Sequence, residues 1–368
     1  MFYSGMVADA KHILCLLCSI LIFMIKKITL FVLLFGASQL SAQLIGGHNS
    51  FKSLAMSPSA RVSALGLKLI TVGGEDILLT YENPAVANPE MHKQISFHHN
   101  FFPGGIKHGV FAGGYHAAKL GITFHGGIRY LNYGDIPRTD VYGVKSGNIS
   151  AGEWSLQVGA ARPLSEKWRM GMNLSFLNAH LDAYSASGLS ADVGFFYEDT
   201  ISGLSYALVA KNVGTELSTF NGVAKAPLPV NVSLGVSKRL AHLPLRVSAT
   251  MNHLEEWDIT YDDPNAKDDV IIIGEQSKKE NKFGKTVDNF FRHMVFSGEF
   301  LLGKFEQVRL RFGYNHLIHQ EFSVKNIRGI SGFTGGIGIK IKRFRIDYGY
   351  TNYHLGGKAS HLSISSHF

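Results

Sequence analysis

The chain has 368 residues, of which 45% are hydrophobic and only 17% charged, with 40 glycines and 11% aromatics. A soluble domain carries about 25% charge and a spanning helix needs a run of roughly 18 apolar residues; beyond the N-terminal leader the chain shows neither. The formal net charge of +8 is scattered over single or paired Lys and Arg, the richest run being KKENKFGK at 278–285, which speaks against nucleic acid as a partner.

The stretch MIKKITLFVLLFGASQLSAQ begins at Met24. Two lysines, an apolar run Ile28–Ala37 and a small-residue end at Ser41-Ala42 give the three-part layout of a secretory signal peptide. Cleavage is expected between Ala42 and Gln43, so that 1–42 is an export signal. Residues 1–23 add a second apolar run, ILCLLCSILIF; they read as an extraneous start, or as part of a long signal-anchor. The two cysteines, Cys15 and Cys18, lie in this segment. The exported chain then has no thiol for a disulfide, a nucleophile or a metal.

Residues 43–93 mix Pro, Gly-Gly and apolar pairs without a period of two. This predicts a compact segment with short helical pieces at Arg61–Leu67 and a turn around Asn83-Pro84-Ala85. From residue 94 the pattern becomes one of alternating apolar and small or polar residues. It predicts strands at 94–102, 106–117, 120–132, 153–162, 168–180, 189–197, 204–212, 228–238, 244–254, 294–302, 307–315, 332–342, 343–350 and 361–368. In RMGMNLSFL the apolar set is Met170, Met172, Leu174 and Phe176. In QVRLRFGYN it is Val308, Leu310, Phe312 and Tyr314, with Arg309 and Arg311 opposite.

Links after even-numbered strands are short. Those after odd-numbered strands are mostly long: 133–152, 181–188, 213–227, 255–293, 316–331 and 351–360. That segregation is the layout of outer-membrane barrels, with the short turns in the periplasm. A secreted sandwich would also alternate, but gives no reason to sort loop lengths by parity. The expectation is therefore an all-β fold, a 14-stranded antiparallel transmembrane barrel over 94–368, with 43–93 as an N-terminal segment. The link 255–293 is expected to be extracellular and to dock a partner through Trp257, Tyr261, Asp262, Asp263, Phe290 and Phe291. Within it, VDNFFRHM (287–294) fits a short helix.

Catalytic motifs are missing: no H-E-x-x-H, no G-x-S-x-G and no P-loop. GGIGIK at 335–340 sits in a strand, without the strand–loop–helix context of a nucleotide site. The 17 histidines show no ligand spacing, and adjacent His98 and His99 face opposite sides of a strand. YDDPNAKDDV (261–270) clusters carboxylates, but not at calcium-loop spacing. No metal, cofactor or enzyme activity is expected. The ending HLSISSHF places Leu362, Ile364 and Phe368 on one face, as a closing strand and an assembly signal for barrel insertion.

The stretches SPSARVSALGLKLITV, YENPAVANPEMHKQISFHHN, RYLNYGDIPRTD and PLPVNVSLGVSKRLAHLPLRVSATMNHLEEWDITYDDPN together resemble the PorQ family of the Bacteroidota type IX secretion machinery. SARVSALG and the NPA at 83–85 are similar to the wider group of PorV and the fatty-acid transporter FadL. One departure is Leu67, where a Gly is usual. The resemblance implies residues 43–93 as a hatch inside a 14-stranded barrel in the outer membrane. It implies a role in the attachment complex, holding a PorZ-like surface protein beside PorU-like and PorV-like chains that attach cargo to anionic lipopolysaccharide. FadL suggests the alternative, a transporter or channel for hydrophobic solutes.

Overall fold

A computed structural model describes residues 49–222, 224–260, 282–322, 329–354 and 357–368. Residues 49–93 form single-turn 3-10 segments at Lys52–Ala55, Ile77–Tyr81, Pro84–Val86 and Pro89–Met91, and one short helix, α1 (Ala60–Ala64). Strands follow: β1 (Gln94–Phe101), β2 (Lys107–Ala117), β3 (Ile122–Asn132), β4 (Ile136–Thr139), β5 (Lys145–Ile149), β6 (Ala151–Pro163), β7 (Trp168–Leu181), β8 (Tyr184–Asp199) and β9 (Leu204–Ser218). Then come β10 (Asn231–Arg239), β11 (Leu245–Met251), helix α2 (Lys282–Arg292), β12 (Met294–Leu302), β13 (Val308–Asn315), helix α3 (His316–Glu321), β14 (Phe333–Ile341), β15 (Phe344–His354) and β16 (Gly357–His367).

All strands except β4 and β5 join one closed antiparallel barrel of 14 strands. Closure is made by β16 on β1, with Gln94 opposite His367 and Phe101 opposite Ser360. Each expected strand is present. The polarity is inverted relative to a soluble sandwich. On β7, Met172, Leu174 and Phe176 point outward and are exposed, while Asn173 and Ser175 point inward and are buried. On β13, Leu310 and Phe312 are outside while Arg309 and Arg311 are inside. Lipid as the outer solvent requires this arrangement, and a closed barrel leaves no unpaired edge in it. Outward-facing rings form a belt; Trp168, Tyr197 and Tyr206 stand 5.1 and 5.9 Å apart in sequence around the wall.

The apolar core lies in the lumen. Ile77, Leu78, Leu79, Tyr81 and Met91 of the N-terminal segment pack on Val110, Ala112, Ala161, Phe196, Ala207 and Val209 of the wall. Segment 49–93 touches β1, β2, β3, β6, β7, β8 and β13 to β16, most of the ring. It is a hatch.

Two expected long links are short. Strands β7 and β8 continue until Leu181 pairs with Tyr184, leaving a turn at Asp182-Ala183 rather than a loop over 181–188. Likewise β15 and β16 approach until His354 pairs with Gly357, whereas β9 runs to Ser218 and the long link after it is shifted to 219–230. Above the lipid belt both faces of a strand meet water, so alternation ceases to mark it: Tyr184 and Ser185, on opposite faces, are both exposed. The link 133–150 is partly ordered as the β4–β5 hairpin. Leu67 stands at φ 70° and follows Gly66 at φ 82°. A left-handed backbone favours Gly, so Leu67 adopts it at a cost.

Candidate functional site

The hatch is fastened by polar groups at three places. First, α1 has both ends satisfied by the wall. Ala60 N–H donates to Ser363 Oγ at 2.9 Å, Thr334 Oγ donates to the Ala64 carbonyl at 2.9 Å, and Asn315 donates to the Gly66 carbonyl at 3.0 Å. Helix ends leave such groups unpaired unless a side chain supplies the partner. From α1, Arg61 donates through Nε and Nη2 to the two Glu299 oxygens at 3.1 and 2.8 Å. Glu299 on β12 also receives Arg246 at 3.2 Å and Arg311 at 2.8 Å. Arg311 continues to Asp347 at 2.6 Å, Asp347 to Arg345 at 2.9 Å, and Arg345 returns to hatch residue Asp76 at 2.8 Å. The charges alternate in sign, as buried charges must if they are to remain ionised.

Second, Glu82 sits between Lys211 of β9 at 3.0 Å and Lys68 at 3.7 Å. Third, Glu153 of β6 accepts the Lys52 and Ser53 N–H groups at 3.2 and 2.8 Å and the Tyr133 hydroxyl at 2.7 Å, while Arg129 donates to the Ser53 carbonyl at 2.7 Å. Burial and then this carboxylate push the Tyr133 phenol above its ordinary pKa.

The Asn83-Pro84-Ala85 turn is a wedge. Asn83 Oδ1 accepts from Ala85 N–H and its amide donates to the Ile70 carbonyl, both at 2.9 Å. Backbone of Pro84 and Ala85 presses on Gly171 of β7, where an added Cβ would lie 2.5 to 2.6 Å from three of their atoms.

One lumen cluster is invisible in the sequence. His98 of β1, His108 of β2 and His361 of β16 converge, with ring centroids 6.2 Å apart for His98–His108 and for His98–His361. Asn100 bonds both His108 and His361. Inward parity marks each residue, but only the register Asn100 opposite both His108 and His361 brings them together. Among the described residues no group of three or more His, Cys, Asp or Glu is arranged to hold a metal ion.

At the long-loop end of the barrel two apolar patches are exposed. The β4–β5 hairpin carries Val141 and Tyr142 at its tip, 93% and 88% exposed. Phe290 and Phe291, with ring centroids 5.6 Å apart, form the second; Trp257 is also exposed, its ring stacked on His293 at 5.0 Å. Asp288 of α2 bonds Arg292 at 2.7 Å and His316 of α3 at 3.1 Å. Ala42, Gln43, Tyr261, Asp262 and Asp263 lie outside the described residues. Ile364 and Phe368 are exposed on the outer face, with Leu362 half-buried beside them.

The chain matches no protein-family model and no curated protein. Its fold is similar to that of the Ralstonia pickettii toluene transporter TbuX, with a TM-score of 0.50 and 13% identity over 85% of this chain and 99% of that one. A Pseudomonas aeruginosa FadL homologue follows at TM-score 0.47 and 10% identity, over 84% of this chain and 98% of that one. Closed wall, lipid-facing belt and lumenal hatch define the class: an outer-membrane β-barrel, similar in fold to TbuX.

Proposed function

We propose that this barrel is a surface anchor of a type IX secretion machinery. It holds a PorZ-like protein at the outer face, within an attachment complex containing PorU-like and PorV-like chains. The observation that carries this reading is the fastening of the hatch. A lumen filled by a segment tied through Arg61, Glu82 and Glu153 offers a surface rather than a passage. The PorQ-like stretches running from the hatch to 265 support it, as do the exposed apolar residues of the extracellular hairpin. Chemistry then belongs to the partners, and anionic lipopolysaccharide is the acceptor they use.

Tagged protein extracted gently from outer membranes is expected to bring down a PorZ-like chain. Its absence from the eluate, in cells that make it, overturns the proposal.

A second reading is transport of apolar solutes. Its support is the likeness in fold to TbuX, and fold alone is weak support for function. Loss of solute uptake on deletion, with surface proteins undisturbed, favours it.

A further inference from the structure

Helix α2 turns its polar side inward. Asn289 is buried, and so is His293, one residue past the end of the helix. Asn289 accepts from Ile259 N–H at 3.3 Å and donates to the Trp257 carbonyl at 2.6 Å. His293 stands 2.7 Å from the Asn252 carbonyl and 3.1 Å from that of Trp257. From Val287 to the helix end the exposed residues are apolar: Val287, Phe290 and Phe291, at 37%, 40% and 41% exposure, while Gly284, Lys285 and Thr286 are exposed in the turn before. A helix on a water-facing surface has the reverse arrangement.

Ring contacts join this stripe to the lipid-facing belt. Phe291 is 6.0 Å from His316, His316 is 5.9 Å from Tyr314, and Tyr314 is 4.7 Å from Phe333. Tyr314 and Phe333 are the uppermost outward positions of β13 and β14, above Phe312 and above Ile337, Ile339 and Ile341. From Ile341 to Phe333 a strand tilted by about 40° climbs roughly 21 Å, close to the ~25 Å apolar band of such barrels. Tyr314 and Phe333 therefore mark the boundary between hydrocarbon and headgroups, where aromatic rings collect. Helix α2 is held at that height by the Asp288–His316 contact.

We propose that α2 is an interfacial helix. Val287, Phe290 and Phe291 occupy the acyl–headgroup boundary of the outer leaflet, while Asn289 and His293 fasten the helix to the 252–259 segment. Its occupant is lipid, not a soluble protein. Such helices bind through buried apolar area on one face. This proposal requires only that the barrel sits in the outer membrane. It leaves the β4–β5 tip as the apolar patch available to a surface protein.

The test uses full-length barrels in lipid vesicles, with Cys15 and Cys18 replaced by serine if the leader is retained. A nitroxide is attached after Phe290→Cys or Phe291→Cys. Val141→Cys at the hairpin tip, 93% exposed, serves as the water-exposed reference. Folding of each variant is checked by heat-modifiable gel mobility. Labels at 290 and 291 are expected to collide several-fold more with oxygen than with a water-soluble nickel chelate, relative to the label at 141. Nickel access equal to that at 141 places the stripe in water and overturns the proposal. Exclusion of both reagents means the stripe packs on protein, and overturns it too. Neither result bears on whether a PorZ-like chain co-purifies.

Discussion

Arg61 and Glu299 are 238 residues apart in the chain and share two hydrogen bonds, of 3.1 and 2.8 Å, across the lumen. The pair joins a five-residue hatch helix to the barrel wall. Both side chains are buried. Removing one partner of such a pair leaves the other as an uncompensated buried charge, which costs far more than the pair is worth against an apolar replacement.

The two halves are not equivalent. Arg61→Ala leaves Glu299 with Arg246 and Arg311. Glu299→Ala leaves three guanidinium groups facing one another. Both substitutions are expected to destabilise, by about 3 kcal/mol for Arg61→Ala and about 5 kcal/mol for Glu299→Ala. Denaturant unfolding of the two variants checks the order. Equal losses would mean that Arg246 and Arg311 do not share the carboxylate.

Close backbone approach gives a second prediction. At Gly349 of β15 an added Cβ would lie 2.5 Å from the Ala60 carbonyl oxygen, and at Gly171 of β7 as close to the Pro84 carbonyl carbon. Backbone at that distance cannot give way as a side chain end can. Gly349→Leu and Gly171→Leu are expected to displace the hatch while the wall still closes. Protease should then cut within 49–93 in folded, heat-modifiable barrels. A protected hatch in both variants would show that the lumen has room that the packing does not indicate.

The α2–α3 contact has a pH signature. Partial burial raises the Asp288 carboxyl, but hydrogen bonds from Arg292 and His316 outweigh it and hold the group below its ordinary value. A depressed carboxylate contributes stability above its unfolded pKa of about 3.9, and loses it as pH falls through the lower folded value. The mobility of a nitroxide introduced by Gly284→Cys should stay constant from about pH 8 to 5 and rise only below about pH 4. A rise near neutral pH would assign control to another group.

Partner docking is expected at the hairpin. Val141→Ser with Tyr142→Ser should sharply reduce recovery of the surface protein, because exposed aromatic and apolar residues carry most interface energy. Phe290→Ser should leave recovery unchanged. Quantitative mass spectrometry of the eluates measures both, and the opposite ranking would move docking to α2.

All 14 barrel strands were legible because lipid on one side and polar lumen on the other impose strict alternation, as along Val308–Tyr314. Their extents were less so. In YSASGLS of β8 the upper residues are small or polar on both faces. The hairpin β4–β5 was hidden for a related reason: Pro137 and the glycines at 143 and 147 read as loop. The fastenings were not legible at all. Glu299, Arg311 and Asp347 are inward charges on three strands, and which of them meets Arg61 depends on register and on where the hatch sits. The convergence of His98, His108 and His361 depends on closure of the barrel between β1 and β16.

The central claim is anchoring by a closed barrel. Its most direct test is deletion of this chain, followed by measurement of the PorZ-like protein on washed cells and in the medium. The protein is expected to leave the cell surface and appear in the medium, and wild-type barrel to restore it. Full retention on the cells, with normal cargo attachment, would contradict it.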